Sequence, residues 1–190
     1  MKNKARLPVL VVMIAVLMMS CMLPGMIPLK QEPKGPRPYM EDDPDKVIEA
    51  LQSGNVQSLE SLAPERYTAE DLARPDTWTY TVTIADDVPT VLLYGWCAVD
   101  EQTLQKNFEH IVVKIYFDSE ELGSDVVHPL TYVSPDNNMP CQAFSVLMSD
   151  WPVGTYTMKA VATFDEQIND GLADYEPGDY AYLYNITVNK

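Results

Sequence analysis

The sequence predicts a mainly β protein: an antiparallel β-sandwich preceded by a short helical segment. Three observations carry this. From Thr77 onward, apolar and polar residues alternate with a period of two in one short run after another. Turn residues separate those runs, and no run has the 3.6-residue periodicity of a long helix. Before Thr77, apolar residues recur at helical spacing only in short pieces.

The chain begins MKNKARLPVLVVMIAVLMMSC. Lys2, Lys4 and Arg6 form a basic start, Leu7 to Met19 an apolar run, and Ser20 and Cys21 a small-residue ending. This is the layout of a secretory signal peptide. The ending Leu17-Met18-Met19-Ser20-Cys21 resembles the lipobox of bacterial lipoproteins, with Met18 where a leucine usually stands. The resemblance implies cleavage before Cys21 and a diacylglyceryl group on it, and hence a protein held on the extracytoplasmic face of the cell membrane. An uncleaved anchor would need about 20 apolar residues and would run through Ser20, Pro24 and Pro28. Soluble secretion is the third reading, and Met18 spoils the small-residue pattern that ordinary cleavage before Cys21 requires. The expected organisation is a signal peptide over 1–20, a lipidated Cys21 with a Pro-rich tether over 21–43, short helices over 44–74 and a sandwich over 77–190.

The 190 residues carry a net charge of −15, and loss of Lys2, Lys4 and Arg6 leaves −18. So acidic a surface repels phosphate, which argues against nucleic acid as a partner. It also requires a covalent hold on an anionic membrane. With Cys21 assigned to lipid, Cys97 and Cys141 remain as a disulfide pair in an oxidising compartment. A zinc site would need more ligands, and His110 and His128 stand at no zinc spacing. Both histidines read as surface residues.

Six prolines between Met22 and Pro44 prevent regular structure and describe a semi-extended spacer. Pro33 to Pro36 matches PxxP, a weak signal in an exported chain. Asp43 can cap a helix that starts at Pro44, carries Val47, Ile48 and Leu51 on one face, and stops at Gly54. Val56, Leu59 and Leu62 continue the pattern to Pro64. Thr68 to Asp71 fits a capping box, and Arg74-Pro75 ends that helix. The stretch VIEALQSGNVQSLESLAPE resembles the opening helix of NTF2-like domains, which implies one curved sheet around a ligand pocket.

Trp78, Tyr80, Val82 and Ile84 mark the first strand, turned at Asp86-Asp87. Thr90 to Val99 is apolar on both faces, as a central strand should be. Glu101 to His110 is a polar connection with room for one helical turn. Ile111 to Phe117, a short piece from Leu130 to Val133, a strand through Phe144, Val146 and Met148, another through Tyr156 to Phe164, and a last one from Tyr180 to Val188 complete the set. The corner Trp151-Pro152-Val153-Gly154-Thr155-Tyr156 resembles the start of strand F in immunoglobulin-like domains, where such a tyrosine bonds back across the corner. The resemblance implies an immunoglobulin-like sandwich. Met158 replaces the second cysteine of that family, so Cys97–Cys141 is a different bridge.

No G-x-S-x-G, H-E-x-x-H, P-loop or dinucleotide fingerprint occurs. The loop from Asp165 to Asp179 is acidic, and Asp165, Asp170, Asp174 and Asp179 are candidate calcium ligands, although the EF-hand spacing fails at Ile168 and Pro177. Tyr180, Tyr182 and Tyr184 share one strand face and could stack on sugar as in carbohydrate-binding modules. Their continuation into Ile186 and Val188 makes that face core instead; Trp78, Trp96 and Trp151 read as core as well. Asn185-Ile186-Thr187 matches a glycosylation acceptor but lies within a strand. The expected function is non-enzymatic and without a cofactor: a membrane-anchored module presenting loops to an envelope protein or glycan. An NTF2-like small-ligand domain and a carbohydrate-binding module are the alternatives.

Overall fold

The computed structural model describes residues 36–190. The expected signal peptide, Cys21 and most of the expected tether lie outside the described residues. Among those described, no helix is long and apolar enough to cross a membrane.

The chain joins a sheet earlier than the tether reading allows. Tyr39–Met40 (β1) pairs with Ser149 and Met148. Helix α1 (Pro44–Ser53) then starts as expected: the Asp43 carboxylate accepts from the Asp45 N–H at 3.0 Å, and Gly54 closes the helix at φ 70°. Gln57–Ser58 (β2) leads into α2 (Leu59–Leu62), and α3 (Ala69–Leu72) carries the full capping box between Thr68 and Asp71.

The β elements are β3 (Asp76–Ala85), β4 (Thr90–Cys97), β5 (Ile111–Phe117), β6 (Glu120–Glu121), β7 (His128–Val133), β8 (Pro140–Ser149), β9 (Gly154–Phe164), β10 (Ile168–Asn169), β11 (Asp174–Tyr175) and β12 (Gly178–Asn189). They build two five-stranded sheets. In one, β8 has β4 on one side and both β1 and β7 on the other, with β2 beyond β4; the second runs β3-β12-β9-β5-β6. One core lies between them. Trp78, Val82 and Ile84 of β3 and Tyr184, Ile186 and Val188 of β12 are buried with Leu92, Val146 and Met148 from the opposite sheet. The alternation along each strand is what aims these residues inward. A two-sheet sandwich is therefore the architecture, not the single curved sheet that the NTF2 resemblance implies.

Two expectations need correction. The sheets are mixed rather than antiparallel: β3 pairs parallel with β12 from Asp76–Tyr180 to Ala85–Asn189, and β2 pairs parallel with β4. Only four residues join β3 to β4, yet the two do not pair, because the turn at Asp86-Asp87 carries the chain from one sheet to the other. His128 is not a surface residue. It is 5% exposed, its Nε2 lies 3.0 Å from the Glu41 carbonyl oxygen, and the Ser145 hydroxyl donates to its own carbonyl. It joins β1 to β7 along one edge of β8.

The polar connection after β4 is a two-turn helix, α4 (Glu101–Phe108). The Asp100 carboxylate caps it by accepting from the Thr103 N–H at 2.8 Å, and Leu104 anchors it in the core. Tyr156 makes the expected corner bond, donating to the Pro152 carbonyl at 2.9 Å. Tyr180 does the same toward Glu176, also at 2.9 Å. Trp78 and Trp151 are buried and Trp96 packs partly buried against the core, and the tyrosine face of β12 is core as read, with Tyr180 and Tyr184 at 2% exposure and Tyr182 against Trp78 and Tyr94.

Candidate functional site

Strand directions gather three connections at one end of the sandwich. These are the α4 segment between β4 and β5, the turn from Ser134 to Met139 between β7 and β8, and the acidic loop between β9 and β12. The Cys97–Cys141 disulfide stands beneath them. It links directly opposed residues of adjacent strands in one sheet, with Cα atoms 4.1 Å apart. Just past it, the Ala98 N–H donates to the Pro140 carbonyl at 3.1 Å.

The acidic loop is tied into this base rather than left open. Its Ile168–Asn169 and Asp174–Tyr175 segments form a small hairpin. The Val99 N–H donates to the Asp170 carbonyl at 2.9 Å, and the Asn107 amide donates to the Asn169 carbonyl at 3.0 Å. Asp170 organises the tip. One carboxylate oxygen accepts from the N–H groups of Leu172 and Ala173 at 2.7 and 2.8 Å, and the other from the Tyr175 hydroxyl at 3.1 Å. Burial, with Asp170 beside it, pushes the Tyr175 phenol up to about 12. Gly171 is needed at φ 93°, and a Cβ there would run into the Val99 side chain.

Each of the four aspartates read as a candidate calcium ligand has a partner of its own. Asp170 is committed to the tip. Asp165 lies 2.9 Å from His110 Nδ1, Asp174 accepts from the Asn169 amide at 2.7 Å, and Asp179 accepts from the Thr163 hydroxyl at 2.6 Å. Among the described residues, no three His, Cys, Asp or Glu side chains converge as a metal site.

His110 is half-buried, and its second nitrogen lies 3.3 Å from Glu166. Both ring nitrogens thus face carboxylates, beside a cleft of about 310 Å³ between α4 and Glu166–Asn169. A general base needs a ring nitrogen free to take a proton from substrate, and here a carboxylate oxygen lies within 3.3 Å of each. Cys97 and Cys141 are spent in the disulfide. What this end does offer is apolar surface: Leu172 is 73% exposed, Val133 59%, and Val99 is also exposed, among Glu166, Asp174 and Glu176. The sequence signalled the acidity of this loop, but Leu172 and Val99 carried no signal of their own.

Replacing Asp170 with Ala removes three acceptor contacts from a buried carboxylate. The expected cost is about 2–3 kcal/mol, since hydrogen bonds to charged groups carry more than neutral ones. Denaturant unfolding measures it, and amide exchange at Leu172 and Ala173 should quicken while exchange in β9 and β12 follows only the global change.

No protein-family model matches the chain, and no curated protein matches it in sequence. Among solved structures, the cysteine protease inhibitor EhICP2 from Entamoeba histolytica is 10% identical with a TM-score of 0.35, covering 71% of this chain and 95% of its own. PbICP-C in complex with falcipain-2 is 10% identical with a TM-score of 0.39, covering 70% and 99%. Amebosin is also 10% identical with a TM-score of 0.28, covering 60% and 96%. At these TM-scores none of the three bears on what this chain binds.

Proposed function

We propose that this protein is a non-enzymatic, lipid-anchored extracytoplasmic module that uses the α4 and acidic-loop end of its sandwich to bind another protein. The observation that carries the reading is the polarity of the fold. Pro36, the first described residue, is at the opposite end, where its carbonyl lies 3.4 Å from the Tyr156 hydroxyl. Next to it, Arg37 pairs with Glu120 at 2.6 Å and lies over the Phe117 ring at 5.3 Å. A chain held at Cys21 would enter there and leave the three connections facing away from the bilayer. Fifteen Pro-rich residues from Cys21 to Gly35 would reach up to about 45 Å if extended. Two acyl chains on Cys21 would give the stable hold that one chain does not.

A protein is favoured over an envelope glycan by the chemistry of the exposed groups. Leu172, Val99 and Val133 are aliphatic, whereas sugar rings stack on aromatic faces, and the tyrosines of β12 are enclosed. The surrounding carboxylates suit a partner with basic groups around an apolar pocket.

Site-specific photo-crosslinking in intact cells tests this. A photoreactive residue at position 172 should give a discrete protein adduct in the membrane fraction, and one at Val153, exposed at the tether end, should not. Adducts at 153 alone, or at neither position, contradict the proposal.

A further inference from the structure

A second surface lies along the margin of the sandwich formed by β3. In the order β3-β12-β9-β5-β6 this strand has a neighbour on one side only. In a parallel pair, alternate residues turn both N–H and C=O toward the neighbouring strand, and the residues between them turn both away. Two contacts fix which set of β3 is which. The Thr79 N–H donates to the Tyr67 hydroxyl at 3.0 Å, so Thr79 turns away from β12. The Asp86 N–H, just past the strand, donates to the Asn189 carbonyl at 3.0 Å, so the even-numbered residues turn toward β12. Thr77, Thr79, Thr81 and Thr83 therefore aim their backbone groups off the sheet.

The first half of that margin is capped from within the chain. The Asp76 carboxylate accepts from the Thr77 N–H at 2.6 Å. The Tyr67 hydroxyl accepts from the Thr79 N–H and donates to the Thr79 carbonyl at 3.3 Å, standing in for a peptide unit of an adjoining strand. The second half is open. Thr81 and Thr83 are exposed, and their outward N–H and C=O groups have no partner among the described residues.

A bare sheet margin is a template for another strand, and proteins defend it by short length, lysine, proline or a bulge. β1 and β2 are two residues long, β7 carries Pro129, and β5 is covered by the β6 hairpin, with the Leu122 N–H donating to the Ile115 carbonyl at 2.8 Å. β3 uses none of these devices. It is ten residues long, holds unbroken register with β12 from Asp76 to Ala85, and contains neither proline nor lysine. Its threonines alternate with Trp78, Tyr80, Val82 and Ile84, a composition that favours extended chain.

We propose that the open half of β3, from Thr81 to Ala85, takes up an extended segment of a partner protein as an added strand, and that this segment carries basic residues. Thr81 and Thr83 each present one donor and one acceptor, which a strand laid beside them matches, as in other cases of strand addition. On the solvent face, Asn185 and Thr187 stand opposite these two threonines on β12, so the incoming strand meets a neutral polar surface there. Charge selects the occupant. Asp86 and Asp87 follow the open half directly, and the whole chain carries −15. A cationic segment is drawn to such a margin, whereas a second copy of this chain is repelled. The site lies away from the α4 and acidic-loop end and does not depend on the lipid anchor.

Titration of the intact chain with the peptide Lys-Lys-Val-Thr-Val-Thr-Val-Lys-Lys, followed by amide resonances, tests the site. Lysines at both ends place one beside Asp86 and Asp87 whichever way the peptide runs. Saturable shifts and slowed amide exchange are expected at Thr81 and Thr83, with exchange at Tyr184 and Ile186 of β12 unchanged. Thr83→Pro removes an outward N–H and keeps the bonds to β12, and it should weaken binding about tenfold or more. Thr81→Lys leaves the backbone intact, adds a defending charge, and should weaken binding similarly. Glutamates in place of the peptide's lysines should cost about tenfold or more as well. Shifts that do not saturate, affinity unchanged in both variants, or equal affinity for the glutamate peptide would overturn the proposal. So would shifts at Thr81 and Thr83 on concentrating the chain alone, which would make a second copy the occupant.

Discussion

Replacing both Cys97 and Cys141 with Ala is expected to lower the unfolding free energy by about 4 kcal/mol, the chain-entropy value for a bridge of this span. The two cysteines are 44 residues apart in sequence and directly opposite in the β4–β8 register. The bridge therefore constrains the unfolded chain over a long loop, while the strands already hold the same two residues together in the folded state. Equilibrium denaturation of wild type and double variant measures the difference, with the oxidised protein under reductant as a second comparison. The loss should be felt most at the end carrying α4 and the acidic loop, because Ala98 and Pro140 are the residues next to the bridge on that side. Faster amide exchange at Ala98 and Val99 than along β12 is the local signature. A change below about 1 kcal/mol would mean that the unfolded chain keeps β4 and β8 together without the bond.

Phe117→Ala should cost about 3–5 kcal/mol, the range for a fully enclosed aromatic whose neighbours cannot collapse into the space. Phe117 is fully buried, with Trp151 at 6.2 Å, Tyr156 at 5.7 Å and the Arg37 guanidinium over its ring. It is where the segment at Arg37 meets the core. The same substitution should thus free the Arg37 side chain, seen as sharpened resonances for the residues before Tyr39. Val153→Ala at the same end, with its side chain in solvent, should stay within about 0.5 kcal/mol of wild type and serves as the control.

Much of this architecture could be read from local pattern. Period-two runs located β3, β5, β9 and β12, because each strand buries one face and the code for that is contained in the strand itself. Asp43, Pro44, Gly54, Thr68 and Asp71 located two helices for the same reason, since caps act within a single turn. Alternation says which way a side chain points but not which strand lies beside it, so the parallel pairing of β3 with β12 was invisible. His128 looked exposed because its partner, the Glu41 carbonyl, is 87 residues away. Composition counts the carboxylates of the acidic loop but not their hydrogen-bond partners, and Asp170 has three inside its own loop. α4 was underestimated from its polar text, where one cap and Leu104 suffice.

The proposed anchoring of this sandwich is tested most directly by the intact mass of the protein extracted from membranes. The account predicts a mature chain that starts at Cys21, carries the mass of the acyl groups, and is two hydrogens lighter for the Cys97–Cys141 bond. Recovery of the whole chain from Met1 in the soluble fraction, unmodified and with all three thiols reactive, would contradict it.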